Sequence, residues 1–326
     1  MISARLDEDT VVRLVGDAVT APSMHNAQPW KFVFREGGSV IELHGDADRA
    51  MSRTDADHRA LHIGCGAALF NLRVSAARHG LHARVSLLPD GLQPFLLAAV
   101  AMHEPGDEDR ELFALHAALR RRHTSRFPFS DEPVPDELMD GLKGAARLEG
   151  CRLSVPGNWH TATLLELVRD AEYREHTDPL ARAQTAAWVP SAGSRRDGIP
   201  ASAFGPRSHA GHSPVRDFGR DHPVVDRGWA VFEERPRFAL LGTSTDTPTD
   251  WLRAGQALER ILLQATTDGL ATSMTSQPLE WPQLRWTARD PLEVMSRVQM
   301  ILRLGYGPQG PATPRRPLTD VLETCA

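Results

Sequence analysis

The chain has 326 residues, 41% of them hydrophobic and 24% charged, and carries a net charge of −5. That length admits two domains or one large one, and the balance is that of an ordinary globular protein. The acidic charge argues against a general nucleic-acid binder. Apolar runs such as 95–102 are strand-sized and cannot span a bilayer, and the first residues lack the apolar core of a signal peptide. A cytoplasmic location without membrane or nucleic-acid partners is therefore expected.

Asp7 opens a helix whose apolar face is Val11, Leu14, Val15, Ala18 and Val19, at helical spacing. The stretch 21–30, Ala-Pro-Ser-Met-His-Asn-Ala-Gln-Pro-Trp, then joins that helix to a strand. Its two prolines stiffen it, and Ser23, His25, Asn26 and Gln28 offer hydrogen-bonding groups between them. Alone, this reads either as a Pro-punctuated turn or as a loop that presents polar groups to a planar ligand. A hairpin follows, with strands 31–35 and 40–44 around Glu36-Gly37-Gly38-Ser39. Asp46, Asp48 and Asp57 do not make a calcium loop, because Met51 stands where a glycine is needed.

A helix over 57–79 contains Gly64 and Gly66, whose cost to helix stability points to close backbone packing. His58 and His62 lack a third metal ligand in register. Strands are expected at 82–88 and 95–102, and a helix over 107–121. That helix ends in Arg120-Arg121-Arg122-His123-Thr124-Ser125-Arg126, which suits either a solvated surface patch or a phosphate. Pro135 is placed to begin another helix. Two more are expected over 158–176 and 179–188. Between 190 and 223 the pattern dissolves into Gly, Pro, Ser, His and Arg, a length that implies a functional or disordered segment. Its His209, His212 and His222 have no cysteines or helical register to make a zinc site. A strand at 237–242, a helix that Asp250 caps or enters and that runs to 267, and a strand at 298–304 complete the order. Cys65, Cys151 and Cys325 are odd in number and far apart, and read as reduced thiols.

One pattern occurs twice. Gly66-Ala67-Ala68-Leu69 matches Gly255-Gln256-Ala257-Leu258, and Ala76, Gly80 and Leu81 match Ala265, Gly269 and Leu270 in the same register. Two similar halves follow from this more naturally than two unrelated domains.

The decamer at 21–30 resembles the Pro-Ser-x-x-Asn-x-Gln-Pro-Trp signature of FMN-dependent nitroreductases, and 121–129 resembles the arginine-rich start of those chains. With 64–80, 197–205, 251–280 and 299–318, the whole pattern is similar to the Acg family of FMN-binding proteins in the nitroreductase superfamily. The resemblance implies an α+β nitroreductase-like fold in which residues 1–106 and 107–326 form two halves that imitate a dimer, with a lid at 190–223. It implies one FMN per chain and a monomer acting as an internal pseudo-dimer. Ser23, Met24 and Asn26 would face the isoalloxazine; Arg122 and Thr124 would hold the phosphate with Arg315 and Arg316; Arg126 would lie near the pyrimidine edge. Thr275, Ser276 and Gln277 would approach the flavin N5. The catalytic chemistry would belong to FMN, with NAD(P)H as donor and a nitroaromatic, quinone or similar small molecule as acceptor. The alternative is a flavin-sequestering or storage protein whose lid excludes the nicotinamide.

Overall fold

Asp7 caps the first helix by accepting from the Thr10 amide at 2.7 Å, in a computed structural model that describes residues 3–104, 109–189, 195–210, 213–220, 226–291 and 297–325. In chain order, α1 (Glu8–Ala18) leads through the 21–30 loop to β1 (Trp30–Arg35), β2 (Val40–Gly45) and α2 (Arg59–Arg78). Next come β3 (His82–Leu87), β4 (Leu96–His103), α3 (Asp109–Leu115), α4 (Asp136–Leu148), β5 (Arg152–Ser154), α5 (Asn158–Thr177) and α6 (Pro179–Ala187). Two short strands, β6 (Arg207–Ser208) and β7 (Trp229–Ala230), pair with each other before β8 (Phe238–Thr243), α7 (Pro248–Thr267) and β9 (Ala271–Met274). The chain finishes with α8 (Pro282–Thr287), β10 (Arg297–Gly305) and β11 (Leu322–Cys325).

Two antiparallel sheets repeat one plan. The first has the order β1-β2-β4-β3 and the second the order β5-β8-β10-β9. In each, a helix precedes the first strand and a 20-residue helix follows the second. The correspondence is residue for residue at the centre, where α2, its glycine stop and β3 start 189 positions before their counterparts (59 and 248, 80 and 269, 82 and 271). Gly80 and Gly269 both adopt the left-handed conformation that ends a helix, with φ of 69° and 80°.

The long helices α2 and α7 cross at those repeated glycines. A Cβ on Gly66 would lie 2.3 Å from the Leu252 carbonyl oxygen, and one on Gly255 would lie 2.1 Å from that of Ile63. Glycine is the only residue that lets the backbones meet so closely. The exchange is mutual: Leu252 of α7 is buried in the core under the first sheet, and Ile63 of α2 in the core under the second. Contact of this reciprocal kind is what a two-fold axis produces. By length and composition α2 could cross a membrane, yet 89% of its apolar window is buried inside the protein, as befits a core helix.

The first sheet also takes a fifth strand from the far end of the chain, because β11 pairs parallel with β1. The division at residue 106 therefore does not confine each sheet to one stretch of sequence. Several expected boundaries also move. The helix placed at 107–121 is α3 followed by a 3-10 turn at His116–Ala118, after which His116 and Arg120 turn to Asp17. Pro135 stands just outside α4 rather than at its first position. At α7, Thr247 is the cap and Asp250 completes a capping box three residues later. His62 Nδ1 lies 2.6 Å from the His58 carbonyl oxygen. Among the described residues no three potential metal-binding side chains cluster. Residues His212 and His222 of the 190–223 segment, along with its first residues, lie outside the described ones.

Candidate functional site

The 21–30 loop is held in an unusual shape. His25, Asn26 and Gln28 are left-handed, with φ of 50°, 55° and 54°. Each such residue costs about 1–3 kcal/mol and persists only where its surroundings over-determine it. Here they do. Asn26 Nδ2 donates to the Gly198 and Pro314 carbonyls, both at 3.0 Å, and Gln28 Nε2 donates to Arg196 O at 2.8 Å. Gln28 Oε1 accepts from the Arg316 amide at 2.8 Å, and Trp30 fixes the far end in the core, fully buried. Ser23 Oγ closes the loop on itself by accepting from the Gln28 amide at 2.8 Å.

Across from this loop, residues 122–126 lie beside β9, with the Ser125 amide donating to Thr272 O at 2.8 Å. Between the two runs a cavity of about 1140 Å³, counting its open part. Ser23, Met24 and Asn26 line it from the first half; Arg122, Thr124, Arg126, Ser276 and Gln277 line it from the second.

The cavity is positive. Arg59, Arg122, Arg126, Arg216 and Arg315 line it against a single carboxylate, Glu280. Burial, with Arg216 nearby, draws the Arg126 guanidinium down to about 10; its Nη1 donates only to a carbonyl, Ala203 O, at 2.9 Å. Burial and Arg285 bring Arg59 to about 10 as well. Arg122 faces Glu259, whose wholly buried carboxylate lies 3.4 Å from Nε and is raised by burial to about 7 despite that neighbour. A cavity with this surplus of cationic groups recruits an anion.

Two side chains identify its polar wall. Gln277 and Ser273 are 1% exposed, both line the cavity, and neither the Gln277 amide nor the Ser273 hydroxyl has a hydrogen-bond partner. Unsatisfied buried groups are uncommon in folded proteins, and these two leave donors and acceptors facing the cavity.

Two expected contacts, Thr275 and Arg316, lie outside the cavity lining. Thr275 is fully buried behind the wall, its hydroxyl donating to Pro214 O at 3.0 Å, and it does not line the cavity. Arg316 points away, with Nη2 donating to Asp320 O at 2.9 Å and Nη1 to Gln28 O at 3.3 Å. Arg315 reaches the cavity, but all three of its nitrogens are occupied: they donate to the carbonyls of Val19, Thr20 and Ala21 and to Asn26 Oδ1 and Thr313 Oγ1, at 2.7 to 3.1 Å. Its work is to hold the end of α1 and the loop in place, and burial beside Arg122 lowers it to about 9.

The segment expected as a lid, or roof, contributes to the cavity lining through its described residues, 195–210 and 213–220. Ile199, Val215, Arg216 and Phe218 line the cavity from it. It is tied to both sides, through Asp197 to Arg49 and through Ala203 O to Arg126. Arg216 is the main fastening. It donates to both oxygens of Glu280 at 2.6 and 2.7 Å and to His25 Nε2 at 2.6 Å. Burial disfavours its charge, yet Glu280 and Glu175 hold its pKa above the ordinary value. Burial together with Arg216 keeps His25 well below its usual range, so its ring is neutral and can accept. Phe218 packs edge-on against that ring at 5.2 Å.

The comparisons with known proteins bear on this arrangement. The model of the family described as "Nitroreductase family" matches residues 119–306. The Acg protein of Mycobacterium tuberculosis strain H37Rv, provisionally described as an NAD(P)H nitroreductase, is 31% identical over 98% of this chain and 96% of its own length. The Rv3131 protein of the same strain, described in the same way, is 34% identical over 97% of this chain and 92% of its own. Among solved structures, the FMN-dependent nitroreductase NfnB from Mycobacterium smegmatis in complex with NADPH aligns with 64% of this chain and 96% of its own at 16% identity and a TM-score of 0.41.

Proposed function

Because this chain belongs to the nitroreductase family, we propose that it is a flavoprotein holding one FMN in the cavity between its two halves. The observation that carries the reading is the cavity itself: positive, built by both halves, and bordered by the unpartnered Ser273 and Gln277. Those residues fit the group, since a flavin presents a flat ring with polar edges at one end and a phosphate at the other. Arg122 and Arg126 would meet its anionic parts, while Ser23, Ser273 and Gln277 would meet ring polar atoms. Bound FMN supplies hydride chemistry, taking electrons from NAD(P)H and delivering them to a small acceptor such as a nitroaromatic or quinone. The protein's own contribution is orientation, charge and exclusion of water. The single chain acts as a pseudo-dimer and works as a monomer; the repeated strand order and the mutual crossing of α2 and α7 support this.

A second reading, flavin sequestration without rapid turnover, is favoured by Arg216 and Phe218 of the expected lid segment, which line the cavity. One experiment tests both. Purified protein should be yellow, and the extracted ligand should have the mass of FMN at one per chain. Anaerobic NADPH then bleaches the flavin if the protein turns over and leaves it oxidised if the roof excludes the donor. Extraction of FAD, or of two flavins per chain, would overturn the assignment.

A further inference from the structure

Glu259 of α7 is fully buried and does not line the cavity, yet it stands 3.4 Å from Nε of Arg122, which does. Among the described residues neither Glu259 oxygen has a hydrogen-bond partner, and Oδ1 of its α2 neighbour Asn71 has none either. The nearby donors are spent elsewhere. Asn71 Nδ2 donates to Thr20 Oγ1 at 3.1 Å, and Arg122 Nη2 donates to the Thr20 carbonyl at 3.1 Å. Arg315 gives its nitrogens to the carbonyls of Val19, Thr20 and Ala21 and to Asn26 and Thr313. An ionised carboxylate in a protein core ordinarily gathers donors as well as a counter-ion. Here the Arg122 guanidinium is the principal support, and burial lifts the acid to about 7. A proton on Glu259 would supply the donor that these acceptors lack.

Arg122 and Arg315 are the charges that act on Glu259. Others on the packed elements are paired away from it. Arg73 and Arg260 meet Glu149 at 2.7 and 2.9 Å, Arg260 also meets Glu111, and Asp17 takes His116 and Arg120. His25 and His123, which line the cavity, are held by burial below the ordinary 6.5 and are neutral above it. Glu172, another acid that burial brings to about 7, stands among Arg216, Arg220, Asp217 and Glu175 rather than against Arg122. Arg122 is thus placed between two anions: Glu259 behind it and, in the reading above, a phosphate in front. A second anion raises the proton affinity of the carboxylate twice over, by repulsion and by engaging its counter-ion.

We propose that Glu259 is a positioning residue for the cofactor phosphate: as a carboxylate it holds Arg122, and when the phosphate engages that arginine it takes a proton from solvent, so that FMN and one proton bind together. This rests on the flavoprotein reading above. A group whose pKa rises on binding makes affinity fall as pH rises. Between about pH 7 and 8.5 a phosphate monoester is already a dianion and the arginines stay charged, which leaves Glu259 as the group that responds. The test titrates the full chain, freed of flavin, with FMN by calorimetry in buffers of different ionisation enthalpy, which counts the protons. Most of one proton should be taken up near pH 8, and affinity should fall about tenfold across that range. Glu259→Gln, a neutral isostere, should take up none, flatten the profile and hold FMN at least as tightly as the parent at the alkaline end. Riboflavin, which has the ring without the phosphate, should bind the parent without proton uptake. The parent's proton count decides the matter even where the variant fails to fold. FMN binding without uptake, a Glu259→Gln profile as steep as the parent's, or equal uptake with riboflavin would overturn the role of Glu259 and leave the flavin in place. FMN that binds at no pH would overturn the flavoprotein reading and this role with it.

Discussion

Replacing Arg216 with methionine should release the roof. The substitution keeps an apolar stem of similar reach but removes the bonds to both oxygens of Glu280 and to His25 Nε2. The pair it breaks is buried, with side-chain exposures of 8% and 4%. Removing one partner of a buried pair costs about 3–5 kcal/mol, because the other charge is stranded. Burial already raises the Glu280 pKa, so the stranded acid escapes part of that cost by taking a proton, which sets the loss near the lower end. About 3 kcal/mol corresponds to roughly a hundredfold shift toward the open roof. Hydrogen exchange read by mass spectrometry on peptides containing Ile199 and Phe218 measures that equilibrium directly. The double variant Arg216→Met/Glu280→Gln removes the stranded charge as well and should recover much of the protection. Unchanged exchange in the single variant, or a double variant as open as the single one, would refute the idea that this ion pair fastens the roof.

Three further outcomes follow from the same geometry. Gly255→Ala should prevent the α2–α7 crossing, since the added carbon would stand 2.1 Å from Ile63 O; the variant should be largely insoluble, or melt far below the parent, and a near-parental melting temperature would contradict the close approach. His25 should make stability fall in acid: its folded pKa lies below the ordinary 6.5, so the unfolded chain binds the proton first, and its contribution is complete above pH 6.5 and lost as pH drops toward the depressed value. His25→Gln should flatten that limb of a melting-temperature-against-pH profile. Arg122→Ala should weaken FMN retention by about 1.5–3 kcal/mol, tenfold or more, whereas Arg316→Ala should leave it unchanged, as followed by flavin absorbance after dialysis.

Much of this was legible in the residues. The Gly66 and Gly255 repeat located both central helices and the register relating them, because a glycine in a helix interior is costly unless another backbone touches it. Of the residues singled out, Ser23 and Asn26 of the loop and Arg122 and Arg126 of the arginine cluster line the cavity, whereas Arg120 turns to Asp17 and Arg121 to the Ala117 carbonyl. What stayed hidden has a common cause: it depends on contacts distant in sequence. Nothing local distinguishes Arg216, which fastens the roof, from its neighbours in an aperiodic stretch, nor Arg315, which holds carbonyls, from Arg316, which turns outward. Short strands such as β5, with three residues, and β11, with four, exist because a neighbouring strand offers an edge and carry no periodicity of their own. Ser273 gave no signal, since an unpaired hydroxyl shows only once its surroundings are known.

The parallel pairing of β11 with β1 sets an order of assembly. Phe32 N donates to Val321 O at 2.7 Å and Glu36 N to Cys325 O at 2.8 Å, so one edge of the first sheet is covered by residues that leave the ribosome long after the rest of that sheet. The strands of the second sheet all lie between 152 and 305, so its strand pairing draws on no strand outside that span. Domains commonly fold from the N-terminus as they are made; here the half translated first is the half finished last. Until then β1 offers an unpaired edge, which is a template for association with other nascent chains. Arg315, which braces the end of α1 and the loop through the carbonyls of Val19, Thr20 and Ala21, is also made after the first sheet's other strands, so a chain halted before residue 315 lacks that brace.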